Sequence, residues 1–223
     1  VTDACTVDNP MASIKTESKS QLSESYLGLS VLMLGLALGE VAGATSIVRA
    51  ILGAILSPGI TAAFLVVLPL WMVLRFRKTV SDDDERRTML FELAVTVGVL
   101  GSLLFAEPRL LSLNPTLLFI GPFMLGLAID PETSLPVPSN RFDFLRGVLA
   151  LTAAATVTLT FFPYHALRFG SLLFTGLNVL GLFVHFQITC SLVKDHNKLL
   201  ATAQLFYVVG VFVVQLLLVS LKL

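Results

Sequence analysis

The run FGSLLFTGLNVLGLFVHFQITCSLVKDHNKLLATAQLFYVVGVFVVQLLLVSL, Phe169 to Leu221, decides the fold. It holds two apolar segments, Phe169 to Val193 and Leu199 to Leu221, separated only by Lys194-Asp195-His196-Asn197-Lys198. Each can cross about 30 Å of hydrocarbon, which takes roughly 20 helical residues, and a helix satisfies its own backbone amides where water is absent. The short polar link predicts that the two spans form an antiparallel hairpin.

Outward from the hairpin the same pattern recurs. A first span is expected from about Tyr26 to Ala44, interrupted near its end by Gly39 and Glu40. The apolar stretch Ile47 to Phe76 is too long for one simple crossing, and Pro58-Gly59 divides it into a short amphipathic piece carrying Arg49 and a span ending at Trp71 to Phe76. Trp71 suits an interfacial anchor. Beyond the charged loop Arg75 to Arg87, Ser81 is placed to cap the next helix, and the acidic residues Asp82 to Glu85 complement its dipole. That helix crosses from about Thr88 to Phe105. A fourth span follows Asn114-Pro115 and ends near Ile129, before Asp130-Pro131 and Pro136-Val137-Pro138. The fifth runs from about Phe142 to Phe162. The expectation is an all-α, polytopic membrane protein, with a polar N-terminal tail over residues 1–25 and a seven-transmembrane-helix bundle over 26–223.

Composition agrees. With 55% hydrophobic and 13% charged residues and a mean hydropathy of +0.86, the chain cannot hide its apolar surface as a soluble domain does. Fifteen Lys+Arg balance fifteen Asp+Glu, so charge indicates no nucleic-acid partner. The expected partners are the lipid bilayer and other membrane-protein subunits. Eleven basic residues fall on the side of the N-terminal tail (Lys15, Lys19, Arg75, Arg77, Lys78, Arg86, Arg87, Arg141, Arg146, Lys194, Lys198) against four on the other (Arg49, Arg109, Arg168, Lys222). The positive-inside rule puts the tail in the cytosol or the mitochondrial matrix, so the endoplasmic reticulum and the mitochondrial inner membrane both fit. Val1 in place of Met implies either a removed targeting segment or a true start at Met11. Cys5 and Cys190 do not suggest a disulfide, and Pro115 spoils Asn114-Pro115-Thr116 as a glycosylation site.

Four stretches resemble the transmembrane Bax inhibitor motif family of small seven-helix membrane proteins. Gln21-Leu22-Ser23-Glu24-Ser25-Tyr26-Leu27 is similar to the start of its first helix, Arg86-Arg87-Thr88-Met89-Leu90-Phe91 to its third, and Asn114-Pro115-Thr116-Leu117-Leu118 to its fourth. The terminal hairpin resembles it most, in Gly176, Gly181, Val184-His185-Phe186-Gln187 and Leu205-Phe206-Tyr207-Val208. The resemblance implies a proton-sensitive latch of two hairpin aspartates with an arginine near the third helix. Here His185 stands at the first aspartate, Val208 at the second, and Gln204 at an upstream position that is often acidic; Arg87 matches the arginine. Two adjacent acids work as a latch because they cannot both be ionised. Val208 removes that chemistry.

Candidate polar positions within the membrane are therefore Glu40, Arg87, Glu92, His185 and Gln204. An acid at membrane depth is expensive and faces the bundle interior, a partner or a water-filled cavity. Glu92 lies five residues beyond Arg87, so a salt-bridged or snorkelling carboxylate is expected; Glu40, near the end of its helix, is expected at the far interface, although no basic neighbour lies within a helical turn. Thr152, Thr156, Thr158 and Thr160 can bond to preceding carbonyls, and Asn178 and Gln187 can bond between helices. Gly28, Gly35 and Gly39 line one helix face for close packing. No HExxH, GxSxG, P-loop or CxxC pattern occurs, and one histidine does not make a calcium site, so neither an enzyme nor a cofactor or metal is expected. The expected role is non-catalytic scaffolding, as a structural subunit of a membrane complex such as a mitochondrial respiratory or ATP-synthase assembly. The alternative, implied by the resemblance, is a pH-sensitive calcium or cation leak or a regulator of cell death.

Overall fold

A computed structural model describes residues 16–78, 83–105, 113, 117–132, 141–164, 169–192 and 197–221. Among them the regular structure is helical: α1 (Thr16–Ala44), α2 (Ser46–Ile55), α3 (Pro58–Lys78), α4 (Asp83–Leu104), α5 (Ile120–Ile129), α6 (Arg141–Tyr164), α7 (Phe169–Leu192) and α8 (Asn197–Ser220). Six of these, α1, α3, α4, α6, α7 and α8, are long and apolar enough to cross a membrane. The expected cap at Ser81, the Asn114-Pro115 and Pro136-Val137-Pro138 segments, and the turn residues Lys194-Asp195-His196 lie outside the described residues.

α1 is the centre of the bundle. Of its spanning window 56% is buried, against 17% for α3. It begins at Thr16, ten residues before the expected span, so residues 16–25 are helix rather than polar tail. That extra length is held by side chains that go inward. Leu22 and Tyr26 are buried, and the Ser23 hydroxyl donates to the Gly126 carbonyl at 2.9 Å.

The tightest contact joins α1 to α4, and the two helices run parallel. Pairs advance together along both: Glu24 with Arg87, Gly35 with Phe91, Gly39 with Val95, and Gly43 with Ser102. A methyl on Gly39 would overlap the Val95 carbonyl, one on Gly98 would overlap the Leu36 carbonyl, and one on Gly43 would sit 2.6 Å from the Val99 carbonyl. Glycine here is a condition of the two backbones meeting. Gly28, expected on the same packing face, faces α8 instead, where an added Cβ would lie 3.9 Å from the Gln204 amide.

Pro58 starts α3 as expected, and α2 is a separate helix with no buried residue. Ile47, Ile51 and Ile55, spaced by four, form its exposed apolar face. Arg49 ties α2 to the end of α4, donating to the carbonyls of Ser102 at 2.8 Å and Phe105 at 2.9 Å, groups that a helix C-terminus leaves open. The Arg75 guanidinium lies 5.3 Å over the exposed Trp71 ring near the other end of α3.

The expected fourth span is realised differently. α5 has ten residues, about 15 Å of helix, which is half the hydrocarbon thickness. Pro122 lies in the first turn of α5, where its missing N–H leaves no helical bond unmade, whereas Pro69 is carried inside α3. α5 is buried rather than peripheral: Gly126 packs on Leu27 of α1, and Gly121 on Leu182 of α7 and Thr152 of α6. Phe105 sits beside Arg49 at one end of the bundle, whereas Gly126 sits beside Ser23 at the other. α7 and α8 pack on each other, and α8 runs parallel to α1, since Gln204 meets Ser25 and Gln215 meets Glu40.

Replacing Gly98 or Gly39 by alanine should lower the unfolding midpoint in detergent, with a loss of about 1–3 kcal/mol or more from overpacking against backbone. Gly176→Ala, where an added methyl meets nothing within 4 Å, should be neutral or stabilising by up to about 1 kcal/mol. Equal effects at the three positions would contradict the α1–α4 contact.

Candidate functional site

Two buried polar clusters hang on α1, one near each end. The first is built on Glu40, which is 0% exposed. Gly98 lets α4 approach the backbone there, and Ser102, one turn further along the same face, donates its hydroxyl to the Glu40 carbonyl at 2.7 Å. The Glu40 carboxyl receives its donor from α8: Gln215 Nε2 donates to Oε2 at 2.9 Å. Oε1 has no hydrogen-bond partner among the described residues. Among the described residues the carboxyl is thus met by an amide and not by a cation. Gln215, also 0% exposed, lies in the run Val211-Phe212-Val213-Val214-Gln215-Leu216-Leu217-Leu218.

The second cluster surrounds His185 of α7. Its Nδ1 lies 3.0 Å from the Tyr26 hydroxyl and 3.3 Å from the Thr189 hydroxyl, which itself donates to the His185 carbonyl at 2.8 Å. Tyr26 presents its ring edge-on to the imidazole, with centroids 5.6 Å apart, and the Tyr207 ring lies 4.9 Å away on the other side. Nε2 faces the backbone of Ala203 without a hydrogen bond of good geometry. One residue before Tyr26, Gln204 Nε2 donates to the Ser25 carbonyl at 2.8 Å and to its hydroxyl at 3.0 Å, joining α8 to α1.

The five candidates therefore do not converge. Tyr26 and Glu40 are separated by roughly 21 Å of helix, so the His185 and Glu40 clusters are distinct. Arg87 pairs with Glu24 at 3.3 Å, both side chains more than half exposed, a surface pair worth about 0–1 kcal/mol. The expected pairing of Arg87 with Glu92 is not made. Five residues along a helix turn through roughly 140° beyond a full circle, which points the two side chains to different faces. Glu92 is exposed on α4, and its carbonyl accepts the Thr96 hydroxyl.

Other polar residues divide. Thr152 and Thr156 bond to carbonyls four residues back, as expected. Asn178 bonds within its own helix to the Phe174 carbonyl, not across to a neighbour, and Gln187 Nε2 is buried with no partner among the described residues. No cluster of three metal-binding side chains occurs among the described residues. Tyr26, Gln215 and Ser102 were missed as site residues. Gln215 carried a readable signal, since an amide amid eight otherwise apolar residues needs a partner inside the bundle.

No family model, no curated protein and no solved structure matches this chain.

Gln215→Leu should cost about 1–3 kcal/mol of stability, because it strands the Glu40 carboxyl without its donor. Adding Glu40→Leu to that variant should recover part of the loss, a coupling that a double-mutant cycle of unfolding midpoints would read. Strictly additive losses would show that the two side chains do not interact.

Proposed function

We propose that this chain is a non-catalytic integral membrane protein, divergent from the transmembrane Bax inhibitor motif family, that crosses the bilayer seven times and holds other membrane-protein subunits. The observation that carries the scaffolding role is a stripe on α3. Ile60, Phe64, Val67, Trp71 and Leu74 are all exposed and repeat at intervals of four, three, four and three residues, the spacing of a seam between packed helices. α3 is also the least buried of the six long helices.

Seven crossings are supported by the positions of chain segments. The link from Phe105 to Gly126 joins opposite ends of the bundle, with α5 completing the passage, and α8 runs parallel to α1. The family reading draws support from order along the chain and from the contact between Tyr26 and His185, two positions singled out by the resemblance. A cation leak is the second reading, favoured by one observation: Glu40 is buried with a carboxyl oxygen that lacks a partner among the described residues.

Extraction in mild detergent should yield the chain in a complex much larger than 24.1 kDa, with a photo-crosslinker at Phe64 or Trp71 capturing a second membrane protein. A lone monomer that conducts calcium in proteoliposomes would sink the scaffold and favour the leak. Cysteines placed at Glu85 and Thr45 should label from opposite sides of the membrane, and Leu221 from the Thr45 side. Labelling of Leu221 from the Glu85 side would rule out an odd number of crossings.

A further inference from the structure

The short helix α2 is held at both ends at one depth. The Glu24–Arg87 pair at 3.3 Å and the Arg75–Glu85 pair at 3.8 Å mark a single charged boundary for α1, α3 and α4. From that boundary α1 runs roughly 30 Å from Glu24 to Ala44, and α3, followed backwards, runs roughly 26 Å from Arg75 to Pro58. The end of α1 and the start of α3 therefore emerge within about one helical turn of the same depth on the far side. α2 connects them, through Thr45 at one end and Leu56-Ser57 at the other. Standing on end, a ten-residue helix would separate those points by about 15 Å in depth, so α2 lies across the spans, level with their ends.

Its two faces are fixed in orientation. At about 100° per residue, Ile47, Ile51 and Ile55 share one arc of the helix, and all three are exposed. Beside them Val48 and Leu52 form a half-buried apolar edge that rests on the bundle. Arg49 comes next round the helix, followed by Gly53, Ser46 and Ala50, which are exposed. Arg49 donates to the carbonyls of Ser102 and Phe105 at the end of α4. Carbonyls at a helix C-terminus point onward along its axis, here out of the membrane, so the Arg49 side of α2 is its water side. The three isoleucines lie roughly 160–240° round from Arg49, on the membrane side.

We propose that α2 is an interfacial helix that sinks Ile47, Ile51 and Ile55 between the head groups and acyl chains of the leaflet at the end of the bundle away from Arg87. The inference rests on the membrane reading above. Helices of this kind bury their apolar face roughly 5–10 Å into the boundary of head groups and hydrocarbon. Lipid is the occupant because both tethers of α2 are spans that end at that boundary and the isoleucine arc faces into it. Arg49 is the sole charged side chain in Ser46–Ile55, and it is turned to the α4 carbonyls. Insertion therefore depends on apolar area and needs no anionic lipid.

The test uses the full chain with Cys5→Ala and Cys190→Ala, in phosphatidylcholine vesicles, carrying a nitroxide on one introduced cysteine at a time. Collisions with oxygen, which concentrates in hydrocarbon, are compared with collisions with a water-soluble nickel chelate. The oxygen-to-nickel ratio at Ile51→Cys should exceed that at Gly53→Cys at least threefold. Both sites accept the label without displacing an atom of the core, since Ile51 is exposed and a Cβ on Gly53 meets nothing within 4 Å. Replacing part of the lipid by phosphatidylglycerol should leave the ratio unchanged. A nickel-favoured label at Ile51→Cys, a label there that neither reagent reaches because protein covers it, or a ratio that more than doubles with phosphatidylglycerol would overturn the proposal. Leu151→Cys, exposed in the middle of α6, reads the membrane assignment separately. Oxygen-favoured collisions at Leu151→Cys with nickel-favoured ones at Ile51→Cys would remove the interfacial placement alone, whereas nickel-favoured collisions at both would remove the membrane reading with it.

Discussion

The backbone contact between α1 and α4 at Gly39 and Gly98 is the constraint on which the rest of the arrangement depends. In a bilayer, helices gain nothing from burying apolar surface against one another, since lipid is as apolar as leucine; close packing and interhelical hydrogen bonds must drive association. Here the absence of two side chains lets carbonyls and Cα atoms touch. The same approach sets the level of Glu40 against Ser102, and it places the end of α4 where Arg49 of α2 can bond to it. α1 then serves as a common reference: α5 packs on Leu27 and Ser23, and α8 meets it at Ser25 and Glu40.

The interior polar groups follow from that frame. Gln204 and Gln215 fasten α8 to α1 at two levels, and Tyr26 fastens α1 to α7 through His185. Each such bond between membrane helices is worth on the order of 1 kcal/mol. Three together specify the rotation and depth of α8 and α7 about α1 more than they add stability. α3 has far fewer of its residues buried, and its apolar face is exposed.

The long spans were legible because apolar length is a strong signal, and the break at Pro58-Gly59 was legible because proline begins helices well and continues them badly. α5 was harder. The apolar run that contains it is long enough to read as a span, but the helix occupies only Ile120–Ile129, with Pro122 in its first turn and Asp130-Pro131 at its end, local features that hydropathy does not weigh. The start of α1 at Thr16 was hidden because Ser23 and Ser25 read as tail residues, while in the bundle they bond to Gly126 and Gln204. Among site residues, the burial of His185 was foreseeable from its place in an apolar run, whereas Glu40, near the end of its helix, read as interfacial and is instead fully buried. Their partners were not foreseeable, because pairing across 159 or 175 residues depends on how helices are arranged in space. Of the two expectations for Glu92, a salt bridge or a snorkelling side chain, the pairing with Arg87 is not made because their separation does not match a helical face, and the side chain is exposed.

The central claim is that α1 and α4 lie side by side, parallel, in the register that puts Gly43 beside Ser102. Cysteines introduced together as Glu24→Cys and Arg87→Cys, whose native side chains meet at 3.3 Å on the exposed edge of the same seam, with Cys5 and Cys190 replaced by alanine, test it in the membrane with a short bis-maleimide. The account predicts rapid intramolecular cross-linking for this pair and none for Glu24→Cys with Ser102→Cys, which places its members at opposite ends of the seam. Linkage of the second pair, or of neither in a folded protein, would contradict it.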